Sequence, residues 1–143
     1  MTRLDILQFM RENRYAVQAS VSATGAPQAA VVGFVVTDSF ELFFDCLSTH
    51  RKAVNLRGNP KVAFVIGGST PGQERTLQLD GIADEPAGAD LERLQKLYFS
   101  AFPDGVHRQN LPGIAYFRVR PTWIRFSDYS SQPNKIVQFS FPA

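Results

Sequence analysis

The residues best placed to do chemistry lie in one stretch, Cys46-Leu47-Ser48-Thr49-His50-Arg51-Lys52-Ala53-Val54-Asn55-Leu56. The apolar run before it reads as a strand, and the spacing after it turns helical. Ser48 or Thr49 can cap that helix, which puts Arg51 and Lys52 in its first turn. Cations there oppose the helix dipole, at a cost of about 0.3–1 kcal/mol each when exposed. Two cations beside two hydroxyls and free backbone N–H groups become favourable when a phosphate binds, because every group then points at it. A solvated basic turn that binds nothing is the plain alternative, and the segment alone leaves both open.

Other candidates carry less. His50 adjoins the basic pair and is as well suited to facing solvent as to donating to an anion. His107 lies in a polar run, His107-Arg108-Gln109-Asn110. Two distant histidines and one cysteine give no metal-ligand spacing, so no metal is expected. Cys46 ends an apolar strand and reads as core rather than nucleophile. Gly67-Gly68-Ser69-Thr70-Pro71-Gly72 lacks the Lys-Ser/Thr ending of a phosphate loop, so it reads as a hairpin loop. Asp84, Glu85, Asp90 and Glu92 read as solvated charges around a helix start. Phe117, Trp123, Phe126 and Tyr129 read as core or dimer interface.

The elements that must position the basic pair follow from periodicity. Residues 2–13 form an amphipathic helix with Thr2 and Asp5 as a capping box and Leu4, Leu7 and Met10 as its buried stripe. Tyr15, Val17, Ala19 and Val21 share one face of a strand. After the turn Thr24-Gly25-Ala26-Pro27, residues 28–37 return as a second strand, and 40–46 form a third, an antiparallel meander. Residues 49–58 are helical up to Gly58-Asn59-Pro60. Strands follow at 61–66 and 75–85. A second helix opens at Pro86, with Leu91, Leu94, Leu97 and Tyr98 as its stripe, and Phe102-Pro103-Asp104-Gly105 ends it. Strands at 114–127 and 135–141 finish the chain. Short loops and little βαβ alternation predict a mainly β (α+β) fold, an antiparallel barrel with short helices at the rim.

Ser48-x-x-Arg51-Lys52, the helix, and Asn59-Pro60-Lys61-Val62-Ala63 together resemble the SRK … NPRV signature of the pyridoxamine 5'-phosphate oxidase-like, FMN-binding split barrels. Glu74-Arg75-Thr76-Leu77-Gln78-Leu79-Asp80-Gly81-Ile82-Ala83 is similar to the family's next strand, and the order of elements matches over most of the chain. The resemblance implies a split β-barrel, with Arg51 and Lys52 on the FMN phosphate and Ser48 and Thr49 as further donors. It implies that the strand through Val31, Val32, Gly33 and Phe34 runs along the isoalloxazine, largely through backbone groups. Thr76, or Gln78 two residues on, falls near the flavin's reactive edge. The family is usually homodimeric with flavin at the interface, where Trp123 and Arg125 would reach the partner's cofactor.

The chain also departs from the oxidases proper. Ala29 and Phe34 stand where the second strand carries a basic residue and a lysine. Tyr98 matches a substrate-contacting tyrosine, but Phe102 replaces the arginine four residues later, and the C-terminal Arg-x-His element is missing. The resemblance therefore implies a small oxidase-related member, an FMN-dependent oxidoreductase that does not oxidise pyridoxine phosphate. A flavin or haem carrier without turnover and a deazaflavin-dependent reductase remain alternatives. In haem-degrading relatives a histidine is the axial ligand, a role His107 could take.

Composition excludes other classes. With 143 residues, 44% hydrophobic and 20% charged, the chain fits a single ordered domain spanning 1–143. A net charge of +2 with scattered cations argues against nucleic acid. No apolar run reaches the ~20 residues of a membrane span, and the charged N-terminus lacks a signal-peptide core. A lone cysteine fits a reducing cytoplasm.

Overall fold

The computed structural model describes residues 1–142. In chain order the elements are α1 (Arg3–Glu12), β1 (Tyr15–Val21), β2 (Pro27–Gly33), β3 (Val35–Val36), β4 (Leu42–Leu47), α2 (Arg51–Gly58), β5 (Lys61–Gly67) and β6 (Arg75–Asp84). They continue as α3 (Gly88–Ala101), α4 (Gly105–Arg108), β7 (Ile114–Asp128) and β8 (Lys135–Ser140). The Thr2–Asp5 capping box forms as expected. The buried face of α1 is Ile6, Leu7, Phe9 and Met10, and Leu4 is 71% exposed. Leu7 and Met10 of the expected stripe are buried, but Ile6 and Phe9 join them in place of Leu4, and Phe9 packs edge-on against Phe126.

All strand pairing is antiparallel, in the order β2-β1-β5-β6-β7-β4-β3, with β8 also on β7. β2 and β3 are separated in sequence by Phe34 alone, yet they occupy opposite ends of this path. The sheet must therefore curl until its two ends meet at Phe34, without a ladder between them, which makes a split barrel. The expected continuous strand over 28–37 is corrected accordingly. It breaks at Phe34, its first half pairing with β1 and its second with β4, so the three strands are not a simple meander. β7 serves three neighbours, with β6 along one edge and β4 and then β8 along the other. The bulge at Asp80/Gly81 bends the β6–β7 ladder. Glycine is required there, since a Cβ on Gly81 would lie 2.6 Å from Val119 and 2.7 Å from the Arg120 carbonyl.

Phenylalanines fill the barrel: Phe44, Phe64, Phe117 and Phe126 are fully buried among Leu42, Ile66, Leu77 and Leu79. A second cluster, Val35, Phe43, Leu94, Tyr98 and Phe102, fixes α3 outside β3 and β4. Leu97 does not complete the expected stripe and is 38% exposed.

Of the acids expected to be solvated around the start of α3, Glu92 is exposed, whereas Asp84, Glu85 and Asp90 are paired. Arg118, buried on β7, donates from Nε and Nη2 to the two carboxylate oxygens of Asp84 at 2.9 and 2.7 Å, and from Nη1 to Asp90 at 3.3 Å and Glu41 at 3.5 Å. Hydrogen bonding to Asp84 holds the guanidinium charged beyond its ordinary range. Glu85 instead pairs with Arg57. These pairs form because β6, β7, α3 and the β3–β4 turn converge at one barrel end.

Candidate functional site

α2 begins where β4 ends, and the outcome at its N-terminus differs from the expected cap. The N-cap is His50, not Ser48 or Thr49, and no side chain caps the helix. The Ser48 backbone N–H donates to the Gly113 carbonyl at 2.7 Å, and its Oγ accepts from Arg57 at 3.2 Å. Ser48 is therefore tied to the β7 entry and to the helix's own last turn. The His50 Nδ1 accepts from the Leu47 N–H at 3.3 Å, which leaves the ring proton on Nε2. Arg51 and Lys52 open the helix with no acid in the first turn. Among the described residues neither makes an ion pair.

A cavity of about 210 Å³ opens beside this helix start, between it and the inner side of the β1–β2 hairpin. Its polar lining is Gln18, Ser20, Gln28, His50, Arg51 and Lys52, closed by Ala29 and Ala30. Gln18 and Ser20 are buried because β1 turns Ala16, Gln18 and Ser20 inward, while Tyr15 (58%) and Val17 (41%) face out. Asn55, one turn into α2 and buried, gives its amide hydrogens to Ser20 Oγ at 3.0 Å and Gln28 Oε1 at 2.7 Å. Each oxygen thereby accepts one hydrogen bond, and the Ser20 hydroxyl and the Gln28 NH2 remain as donors. The Gln18 Nε2 is buried and has no partner among the described residues. No carboxylate of the described residues lines the cavity. Its donors are two cations, an imidazole N–H, two amide NH2 groups and a hydroxyl, beside the two amide oxygens of Gln18 and Gln28, and this excess of positive charge and donors suits a phosphate.

The other expected site residues do not join this cavity in a single chain. Val32 is buried and points inward, whereas Val31 is 66% exposed on the outer face. Gly33 lies against Phe102, whose ring a Cβ would approach to 2.8 Å. Cross-strand partners run Val31–Val17–Val65–Gln78–Arg125 over the outer face, and Trp123 sits in the next row, opposite Asp80. Thr76 lies two residues from Gln78 on β6, half-buried. β6 is three strands from β2, roughly 14 Å at the usual spacing. Thr49 is exposed and is not part of the cavity lining.

Tyr98, matched by resemblance to a substrate contact, is 2% exposed. Its hydroxyl donates to Asp45 at 2.9 Å, and its ring stacks on Phe102 at 4.9 Å. It is thus a packing residue in this chain. Burial and the adjacent Asp45 push its ionisation up. His107 is exposed on α4, and no cluster of three metal-ligating side chains occurs among the described residues.

Cys46 is buried, and burial pushes its thiol up to about 11. The unfolded chain would lose this proton near the ordinary value of 9.0, so the folded state is favoured below that pH and the advantage fades as pH rises toward 11. Denaturation measured between pH 8 and 11 is expected to show a fall in stability that Cys46→Ala flattens. An unchanged profile would remove Cys46 as its source.

The fold is an antiparallel split barrel with a basic helix start beside one cavity. The family model described as pyridoxamine 5'-phosphate oxidase matches residues 5–128, and the chain belongs to that family. No curated protein matches the sequence. Among solved structures, a heme binding protein from Mycobacterium smegmatis superposes with TM-score 0.83 at 14% identity, over 98% of this chain and 58% of its own. The chain thus spans little more than half of that protein's length. A heme storage protein from Vibrio cholerae gives TM-score 0.73 at 19% identity, over 96% of this chain and 92% of its own. A pyridoxamine 5'-phosphate oxidase-related, FMN binding protein from Nostoc punctiforme gives 0.70 at 13% identity, covering 99% and 97%. At these identities the likeness is one of fold. No helix among the described residues is long and apolar enough to cross a membrane.

Proposed function

We propose that the chain is an FMN-binding flavoprotein, an FMN-dependent oxidoreductase of the oxidase-related kind, that works as a homodimer. The observation that carries this is the cavity at the start of α2, which the two cations Arg51 and Lys52 line without an ion-pair partner among the described residues. Arg51 and Lys52 would hold the phosphate, with Ser48 and Thr49 as flanking hydroxyls. β2 ends the sheet path, so one side of its backbone is open, and Val31, Val32 and Gly33 would border the isoalloxazine. When bound, the flavin supplies redox chemistry by accepting hydride or electrons, and the protein supplies position and electrostatics.

The dimer follows from what one chain lacks. Thr76, Gln78 and Trp123 lie across the outer face from β2, so a second copy is needed to bring them to the cofactor. That face is apolar at Tyr15, Val17, Val31 and Val65, all exposed in the single chain. A patch of this character is what an obligate interface covers. Val31→Glu with Val65→Lys is expected to yield a folded monomer by light scattering with weakened FMN binding. A dimer that survives both changes would place the interface elsewhere.

The positions that would grip a phosphorylated substrate are apolar. Phe34 and Phe102 are 3% and 5% exposed, and Arg14 lies over the Phe102 ring at 4.3 Å. This supports a substrate other than pyridoxine phosphate. The absorption spectrum of the purified protein, before and after a reductant such as NADPH, tests the reading. A flavin spectrum that bleaches supports an enzyme, one that persists a carrier, and a haem Soret band would replace FMN by haem.

A further inference from the structure

Gln18 is 1% exposed, and its amide nitrogen has no hydrogen-bond partner among the described residues. An unpartnered buried amide is costly, and folded proteins rarely keep one without a use. Gln18 lies on the inner side of β1, between Ala30 on β2 and Phe64 on β5, and it lines the cavity that Arg51 and Lys52 border. Neither ladder neighbour has a side chain that could accept its N–H. Ser20 Oγ and Gln28 Oε1 each accept from Asn55, and neither is hydrogen-bonded to Gln18. An acceptor group of a ligand held in the cavity would satisfy it.

We propose that Gln18 is a ligand-binding residue, its carboxamide donating to the phosphate group of a phosphate monoester held in this cavity. This rests on the reading of the cavity as the FMN phosphate site and adds a residue to it. Arg51 and Lys52 supply charge from the helix side, and Gln18 supplies a directed donor from the barrel side. Asn55 is a positioning residue: by donating to Ser20 and Gln28, it turns their hydrogens toward the same acceptor. The site thus selects a group without donors of its own, and the phosphate-free alcohol of the same ligand is disfavoured.

The test compares FMN with riboflavin, which lacks the phosphate, by flavin fluorescence in titrations of the wild-type protein, Gln18→Met and Gln18→Glu. Wild type is expected to prefer FMN. Gln18→Met is expected to lose at least about tenfold in FMN affinity, as for one hydrogen bond to a charged group, with riboflavin affinity unchanged. Gln18→Glu is expected to lose more, because it sets a carboxylate against the phosphate. The ligand-free Gln18→Met protein is expected to melt no lower than wild type, since it removes an unpaired buried amide. A merely structural glutamine would show the reverse, a lower melting midpoint with FMN preference intact, and that result would overturn the proposal. Equal losses for both flavins would also overturn it, by placing Gln18 away from the phosphate. If wild type itself binds FMN no better than riboflavin, the phosphate-site reading fails and Gln18 falls with it.

Discussion

Replacing Arg51 and Lys52 together by alanine will weaken FMN binding at least tenfold. Both head the first turn of α2 with no acid beside them, where they raise the energy of the free protein and lower that of an anion complex. Each charge-assisted hydrogen bond to a phosphate is worth about 1.5–3 kcal/mol, so tenfold is the floor. The free protein is not expected to be destabilised, because removing cations from a helix N-terminus relieves an unfavourable dipole interaction. Lost affinity with unchanged or improved thermal stability separates a binding role from a structural one. Equal FMN affinity in the double variant, measured by fluorescence titration at low salt, would defeat the assignment.

The second large effect concerns the fold. Arg118→Met is expected to destabilise the protein by about 2–4 kcal/mol. The range for breaking a buried ion pair extends to ~5 kcal/mol, but Asp84 and Asp90 keep partial contact with water at 38% and 55% side-chain exposure. The change takes the buried cation from Glu41, only 14% exposed, which keeps Arg93 at 3.2 Å. At roughly 3–4 °C per kcal/mol for a domain of this size, the melting midpoint drops by about 10 °C. FMN affinity at temperatures where the variant is folded is expected to stay near wild type, because Arg118 does not line the α2 cavity. A shift under 2 °C would show that the network contributes little.

The barrel could be read from the chain because its signals are local. Alternation in β6, the capping box of α1 and the Gly58-Asn59-Pro60 stop of α2 each depend on neighbours a few residues apart. The change of strand partners at Phe34 was hidden, since residues 29–36 are an uninterrupted run of small and apolar residues with only Gly33 as a hint. Which side of β1 faces inward was hidden as well. Its exposed face is the more apolar one, so the usual rule of apolar inside and polar outside misleads there. That inversion concealed Gln18 and Ser20 as site residues. Arg51 and Lys52 were legible because they break a local rule, and functional sites are where such rules break. Arg118 was illegible because its acidic partners come from the β3–β4 turn, β6 and α3, far apart in sequence.

A crystal structure grown with excess FMN puts the most weight on the central claim. The phosphate is expected within hydrogen-bond distance of the Arg51 and Lys52 side chains, with the Gln18 carboxamide on its far side. Clear density for the flavin with its phosphate elsewhere, or this cavity filled by water alone, would contradict it.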